Sequence, residues 1–194
     1  MDTQPPEVQR RNTDDFLLAE YKNLADSFWR NEETGERRVN FFITLVTAVI
    51  AALVALATKQ NDALPPADVR LIAVYALLAL LAFGLTTLLR LMKRNWATDE
   101  YKRAMAQIRD QFKSADERLA NYQPFGKKRR TLFAGGLVEI VAVINSLIVA
   151  ALVALISFPG PALISGLSAL GGFIVSAASH ALAIRSSYKT SERV

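Results

Sequence analysis

The chain has 194 residues, of which 52% are hydrophobic, and carries a formal net charge of +5. It contains no cysteine and one histidine, which excludes disulfide frameworks, thiolate metal sites and thiol nucleophiles. The apolar residues are not spread as in a soluble domain. No charged residue occurs from 39 to 58 or from 71 to 89, and Glu139 is the only one from 131 to 184. Such blocks predict membrane spans.

The uncharged blocks predict four transmembrane helices. About 20 helical residues cross a bilayer core about 30 Å thick, and the first two blocks have that length. The third is cut by Phe158-Pro159-Gly160-Pro161, where one helix ends and another begins, because proline is best tolerated in the first turn of a helix. The predicted fold class is an all-α integral membrane protein with hairpins over 39–92 and 131–184 and spans at about 39–58, 70–92, 132–157 and 161–184.

Two amphipathic helices are predicted outside the spans. A flexible tail covers 1–13, and an N-cap at Thr13 begins a helix at about 14–32 within the segment 14–38. An N-cap at Thr98 begins a second at about 98–122, within the segment 93–130. Whether the first helix continues through residues 31–35 into the span is left open, because glycine in a helix costs about 1 kcal/mol.

Both amphipathic segments carry an apolar stripe spaced by three and four residues, which is typical of a coiled coil and requires a partner helix. The two stripes can pack on each other, between subunits of a homo-oligomer, or flat on lipid. The first stripe contains Leu17, Tyr21, Leu24 and Phe28, and the second contains Tyr101, Met105, Ile108, Phe112 and Leu119.

The basic residues predict the orientation. With a cytoplasmic N-terminus, 21 of the 23 Lys and Arg lie on the inner side, as the positive-inside rule requires. We therefore expect a protein of the cell (inner) membrane with cytoplasmic termini, including a tail over 185–194. The basic charge needs no nucleic acid partner. The run Lys127, Lys128, Arg129 and Arg130 is predicted to contact lipid headgroups.

Polar residues of the third span form a candidate intramembrane site. Glu139 is the only acid inside a span, and a charge at the bilayer centre costs about 2.5–3.5 kcal/mol. Asn145 and Ser146 follow on the same helix. One interpretation is a proton- or cation-handling site or a pore lining. The other is structural, an interhelical hydrogen bond or an ion pair with an arginine that reaches in from the interface.

Small residues dominate one face of the fourth span, which favours close helix packing, with a polar pore wall as the alternative. That face contains Ser165, Ser168, Gly172, Ser176 and Ser179. His180 lies near the inner end of this span, either as an ordinary helix-end residue or as a pH sensor. One histidine without cysteines does not predict a metal site.

No motif of a known catalytic type occurs in the chain. There is no glycine-rich phosphate loop, nucleophile elbow, HExxH motif or glycosidase-type carboxylate pair. We therefore predict a protein that is not an enzyme and that has no catalytic residue, cofactor or metal.

Residues 17–56 carry a family resemblance. Their sequence, LLAEYKNLADSFWRNEETGERRVNFFITLVTAVIAALVAL, leads from a helix with an EYK start through an Arg pair and aromatics into a span rich in Thr and Ala. It resembles the opening of small bacterial helical membrane proteins, among them SLATT-type domains and an octameric cytoplasmic-membrane family. The SLATT resemblance implies a membrane effector of nucleotide-signalled antiphage systems. Those proteins mostly have two spans, and four are predicted here.

Three functional hypotheses follow. The first is a self-associating membrane module or effector that forms a pore or perturbs the bilayer. The second is a small proton- or ion-coupled transporter or channel that uses Glu139, Asn145 and Ser146. The third is a membrane-anchored scaffold that binds a cytoplasmic protein through its amphipathic helices.

Overall fold

The computed structural model describes residues 6–58, 65–115, 117–119, 136–157 and 162–191, and these are helical apart from residues 65 and 136. Four α-helices follow one another: α1 (Pro6–Thr58), α2 (Pro66–Ala115), α3 (Leu137–Ser157) and α4 (Ala162–Ser191). A short 3-10 turn occupies Glu117–Leu119. All four helices are long and apolar enough to cross a membrane. The predicted all-α class with four spanning helices is therefore confirmed.

The structure does not support two separate amphipathic helices. Residues 14–32 belong to α1, which continues through residues 31–35 without a break, and residues 98–115 belong to α2. Residues 116 and 120–122 of the second predicted helix lie outside the described part. Gly35 is the only helix-breaking residue between the first stripe and the span, and its cost of about 1 kcal/mol is too small to end a helix that is bonded on both sides.

The two predicted N-cap residues lie inside helices. Thr13 follows the start of α1 at Pro6, a residue that suits a first helical turn because its missing N–H needs no partner there. Thr98 lies well inside α2, where its hydroxyl makes contacts with α1 that are described below. Pro66 likewise opens α2, and the N–H groups of Asp68 and Val69 donate to the carbonyl of Pro65 at 3.0 and 3.3 Å.

The chain divides into two compact units. Unit 1 consists of Met1–Thr34 with Arg94–Leu132, and unit 2 of Gly35–Lys93 with Phe133–Val194. In unit 1, α1 and α2 run antiparallel, because Tyr21 contacts Arg109 while Asn31 contacts Thr98.

Unit 2 contains the apolar core. Within it α2 and α3 are antiparallel: the Arg70 guanidinium donates to the Ile156 carbonyl at 3.0 Å, and Gly84 lies against Asn145. Helix α4 is antiparallel to α3, since Gly172 lies against Val153 and Ser146 lies 3.5 Å from His180. The buried core residues are Val39, Phe42, Leu77, Leu80, Leu88, Leu91, Val138, Val141, Ala142, Ile148 and Leu152. The exposed side chains of α1 from 41 to 58 and of α4 from 166 to 184 are largely apolar, which suits contact with lipid.

Candidate functional site

Glu139 lies in the first turn of α3, at one end of the candidate span Leu137–Ser157. The helix starts at Leu137, so Glu139 is its third residue. The carboxylate accepts a hydrogen bond from the Gly136 N–H at 2.9 Å, and the Gly136 carbonyl accepts from the N–H of Glu139 at 3.1 Å. This is a reciprocal cap, and the negative charge also suits the positive end of the helix dipole. The prediction began this span at about 132; residues 132–135 lie outside the described part, and Gly136 is not helical.

The structure does not bring Glu139, Asn145 and Ser146 together as one site. Asn145 follows Glu139 by six residues, which in an α-helix is a rise of about 9 Å and a turn of about 240°. Ser146 shares the face of Glu139 but lies about 10.5 Å along the axis. Each of the three residues therefore has its own surroundings.

Asn145 lies where α1, α2 and α3 meet. The residue is fully buried, and a Cβ placed on Gly84 would lie 2.9 Å from Asn145 Cγ and 2.8 Å from Phe42 Cζ. Only glycine therefore permits this approach of the three helices. Among the described residues, neither the amide nitrogen nor the amide oxygen of Asn145 has a hydrogen-bond partner. The sequence analysis singled out Asn145 but missed Gly84, although Gly84 is the only glycine from 71 to 89.

Ser146 belongs to a second polar cluster, between α3 and α4. Its hydroxyl donates to the Ala142 carbonyl at 2.9 Å and lies 3.5 Å from His180 Nδ1. The same Nδ1 lies 2.8 Å from the Ser176 carbonyl oxygen and 3.3 Å from its Oγ. Because a carbonyl oxygen only accepts, we assign the imidazole hydrogen to Nδ1. Over the described ranges, no group of three His, Cys, Asp or Glu could hold a metal ion.

The predicted small-residue face of α4 is divided between two sides of the helix. Ser168, Gly172 and Ser176 are half-buried, and a Cβ on Gly172 would lie 2.9 Å from Val153 Cγ2 of α3. Ser179 is exposed, and its hydroxyl donates to the Val175 carbonyl at 2.8 Å. The side chain of Ser165 lies outside the described residues. Part of this face therefore packs on α3 of the same chain.

Unit 1 contains a polar cluster that the sequence analysis missed. The Asn31 amide donates to Thr98 Oγ1 at 2.9 Å, and the Thr98 hydroxyl donates to Glu32 Oε1 at 3.2 Å. The Arg94 guanidinium donates to the Glu32 carbonyl at 3.2 Å and lies 3.6 Å from its carboxylate. The Arg94 side chain is only 9% exposed, so its charge depends on these partners. More than 60 residues separate the two halves of the cluster, and no local pattern links them.

Two residues of the first apolar stripe contact α2 in unit 1. Lys102 Nζ lies 5.4 Å from the centre of the Phe28 ring, and the Arg109 guanidinium lies 6.0 Å from the centre of the Tyr21 ring, both within cation–π range. Met105 and Ile108 are buried, and Leu119 is exposed. The half-buried members of the stripes are Leu17, Tyr21, Leu24, Phe28, Tyr101 and Phe112.

The basic run Lys127, Lys128, Arg129 and Arg130 lies outside the described residues, and its predicted contact with lipid headgroups stays a prediction.

No protein-family model matches the chain, and no curated protein or solved structure matches it either. The resemblance of residues 17–56 to SLATT-type proteins therefore stays a prediction from the sequence alone.

Proposed function

We propose that the chain is a non-enzymatic multi-pass membrane protein whose copies associate within the bilayer through the outer face of α4. One observation carries this proposal: an exposed stripe on α4 that is apolar along its length and contains two small residues. Its members, spaced by 4, 3, 4 and 4 positions, are Leu167, Gly171, Ile174, Ala178 and Leu182.

Small residues in this stripe favour a helix as its partner. Lipid covers an apolar face of any shape, so exposure alone does not require a protein partner. Gly171 and Ala178 lie two turns apart on one side of the helix, and no other atom lies within 4 Å of a Cβ placed on Gly171. Such a notch lets a second backbone approach closely, and the large neighbours then gain packing contacts that mobile lipid chains supply less well. The partner proposed is a second copy of the chain.

Charge supports an orientation for the associating copies. The proposed location is the inner membrane of a bacterial cell, with both termini and unit 1 in the cytoplasm. In this orientation 21 of the 23 Lys and Arg lie on the inner side, as the positive-inside rule expects. A module of this kind acts on or through the bilayer, with unit 1 as the part that receives a cytoplasmic signal. The resemblance of residues 17–56 to bacterial membrane effectors agrees with this role.

Because the native chain contains no cysteine, single cysteines can test the association directly. Ala178→Cys places a thiol on the exposed stripe, and Ala177→Cys makes the same substitution at a half-buried neighbour. After mild oxidation in reconstituted bilayers, we expect a cross-linked dimer from Ala178→Cys alone, since a disulfide requires Cβ atoms about 4 Å apart. Equal cross-linking of the two variants, or none from either, would contradict the proposal.

A further inference from the structure

The amide of Asn145 is a polar group in an otherwise apolar part of unit 2. The residue is 0% exposed and lies against Phe42 and Gly84. Leu80 and Ile148 lie one helical turn from Gly84 and Asn145 towards one end of the core. Leu88 and Val141 lie one turn towards the other end, and all four residues are buried. The amide is therefore closed off on both sides by large apolar side chains.

Stability does not account for an asparagine at this position. A buried amide with unmade hydrogen bonds is destabilising, and the hydrocarbon of a bilayer offers it no partner. Asparagine in a span commonly links helices through a hydrogen bond. In the described part of the chain, both amide atoms of Asn145 lack such a partner. An apolar side chain at this position would not carry that penalty.

Helix α2 provides a polar neighbour near this level. The Asn145 amide fills the space at Gly84, so a water can reach it only if the two helices move apart. One turn further along the same buried stripe, Thr87 is 5% exposed, and its hydroxyl donates to the Phe83 carbonyl at 2.9 Å. The Thr87 oxygen keeps lone pairs that can accept, and the amide can both donate and accept. A buried water needs two to four such bonds.

We propose that Asn145 is a hydration site and that α2 and α3 separate at Gly84 to admit water to its amide. The ligand is water itself. The contact between Gly84 and Asn145 is then the closed state of the α2–α3 interface within each copy of the chain. The unpaired amide favours the open state, in which it can bond to water. This inference is independent of association through α4, because the two sites lie on different helix faces.

Thr87→Cys is the reporter, because it leaves the amide intact. A methanethiosulfonate reagent reacts with the thiolate, which forms only where water reaches the sulfur. Leu80→Cys is the matched control, since Leu80 is buried to the same degree on the same stripe of α2. In reconstituted full-length protein, we expect Thr87→Cys to react at least about tenfold faster than Leu80→Cys, since thiol reactivity follows the thiolate fraction.

The second arm removes the amide. Thr87→Cys combined with Asn145→Leu is expected to react as slowly as Leu80→Cys, because the amide that attracts water is gone. Equal rates for Thr87→Cys and Leu80→Cys, or a Thr87→Cys rate that Asn145→Leu leaves unchanged, would overturn the hydration site. None of these outcomes bears on the cross-linking of Ala178→Cys, which tests association through α4 separately.

Discussion

Gly171 and Gly172 are neighbours in α4 but have different surroundings. A Cβ on Gly172 would lie 2.9 Å from Val153 Cγ2, whereas one on Gly171 would have no other atom within 4 Å. Gly172 allows α3 and α4 of one chain to pack closely. Gly171 leaves the notch that we assign to another copy. Both residues are in the same helix, so their intrinsic helix propensities are alike.

Replacing each glycine with alanine separates the two roles. Gly172→Ala is expected to lower the free energy of unfolding by about 1 kcal/mol, because overpacking a tight contact costs more than alanine gains in helix propensity. Gly171→Ala is expected to leave it unchanged or to raise it by up to about 1 kcal/mol in a single copy, because the added methyl meets no other described part of the same chain. Thermal unfolding of the two variants in nanodiscs that hold one copy measures the difference. Equal shifts would contradict the close contact between Gly172 and Val153.

At the scale of the helical element, the Glu32–Arg94 cluster fastens α1 to α2 within unit 1. Four hydrogen bonds and one ion pair join two short stretches of helix around Asn31 and Thr98. The stripes alone would allow the two helices to slide by a heptad, since apolar contacts are not directional. Polar contacts of defined geometry select one register.

Loss of Arg94 should loosen this pairing. We expect Arg94→Ala to destabilise the pairing by about 2 kcal/mol, because the Glu32 carbonyl and carboxylate lose the guanidinium in a partly buried site. Hydrogen exchange of the amides from 14 to 34 should then become faster, as local opening becomes easier. Lys93→Ala is the control, since Lys93 is the preceding residue on α2 and is exposed. Exchange that is equally fast in both variants would argue against the cluster.

The number of helices that are long and apolar enough to span a membrane could be predicted from the sequence, and their continuity with the flanking helices could not. An uncharged block reflects the free-energy cost of placing a charged side chain in lipid. That cost depends on each residue by itself, so it can be read from the sequence. Helix ends depend on contacts: Thr98 has the appearance of an N-cap, yet its hydroxyl bonds to Asn31 and Glu32 of α1. Likewise, Asn145 could be singled out as a polar residue in a span, but its approach to Gly84 depends on how three helices pack.

At the scale of the whole molecule, an even number of helices that could span a membrane is the main constraint on topology. The described part of the chain has four such helices, each with enough apolar length for one crossing. One crossing per helix returns the chain to the side from which it started. The basic residues then decide which side that is.

Single-cysteine labelling tests this topology. Ser114 and Asp68 are both exposed on α2, on opposite sides of its apolar stretch. A membrane-impermeant maleimide added to right-side-out vesicles is expected to label Asp68→Cys and not Ser114→Cys, because the positive-inside rule places Ser114 in the cytoplasm. Inverted vesicles should give the reverse pattern. Labelling of both positions from one side would refute the four-crossing arrangement.

The meeting of Phe42, Gly84 and Asn145 also sets an order for biogenesis. Asn145 is synthesised 61 residues after Gly84, so we expect the first two helices to enter the membrane before α3 has been made. Gly84 then lacks its contact with Asn145 until α3 is inserted beside it. That insertion brings an amide into an apolar site. We therefore expect the assembly of unit 2 to be a late, post-insertion step, the stage at which a partly assembled chain is most exposed to quality-control proteases.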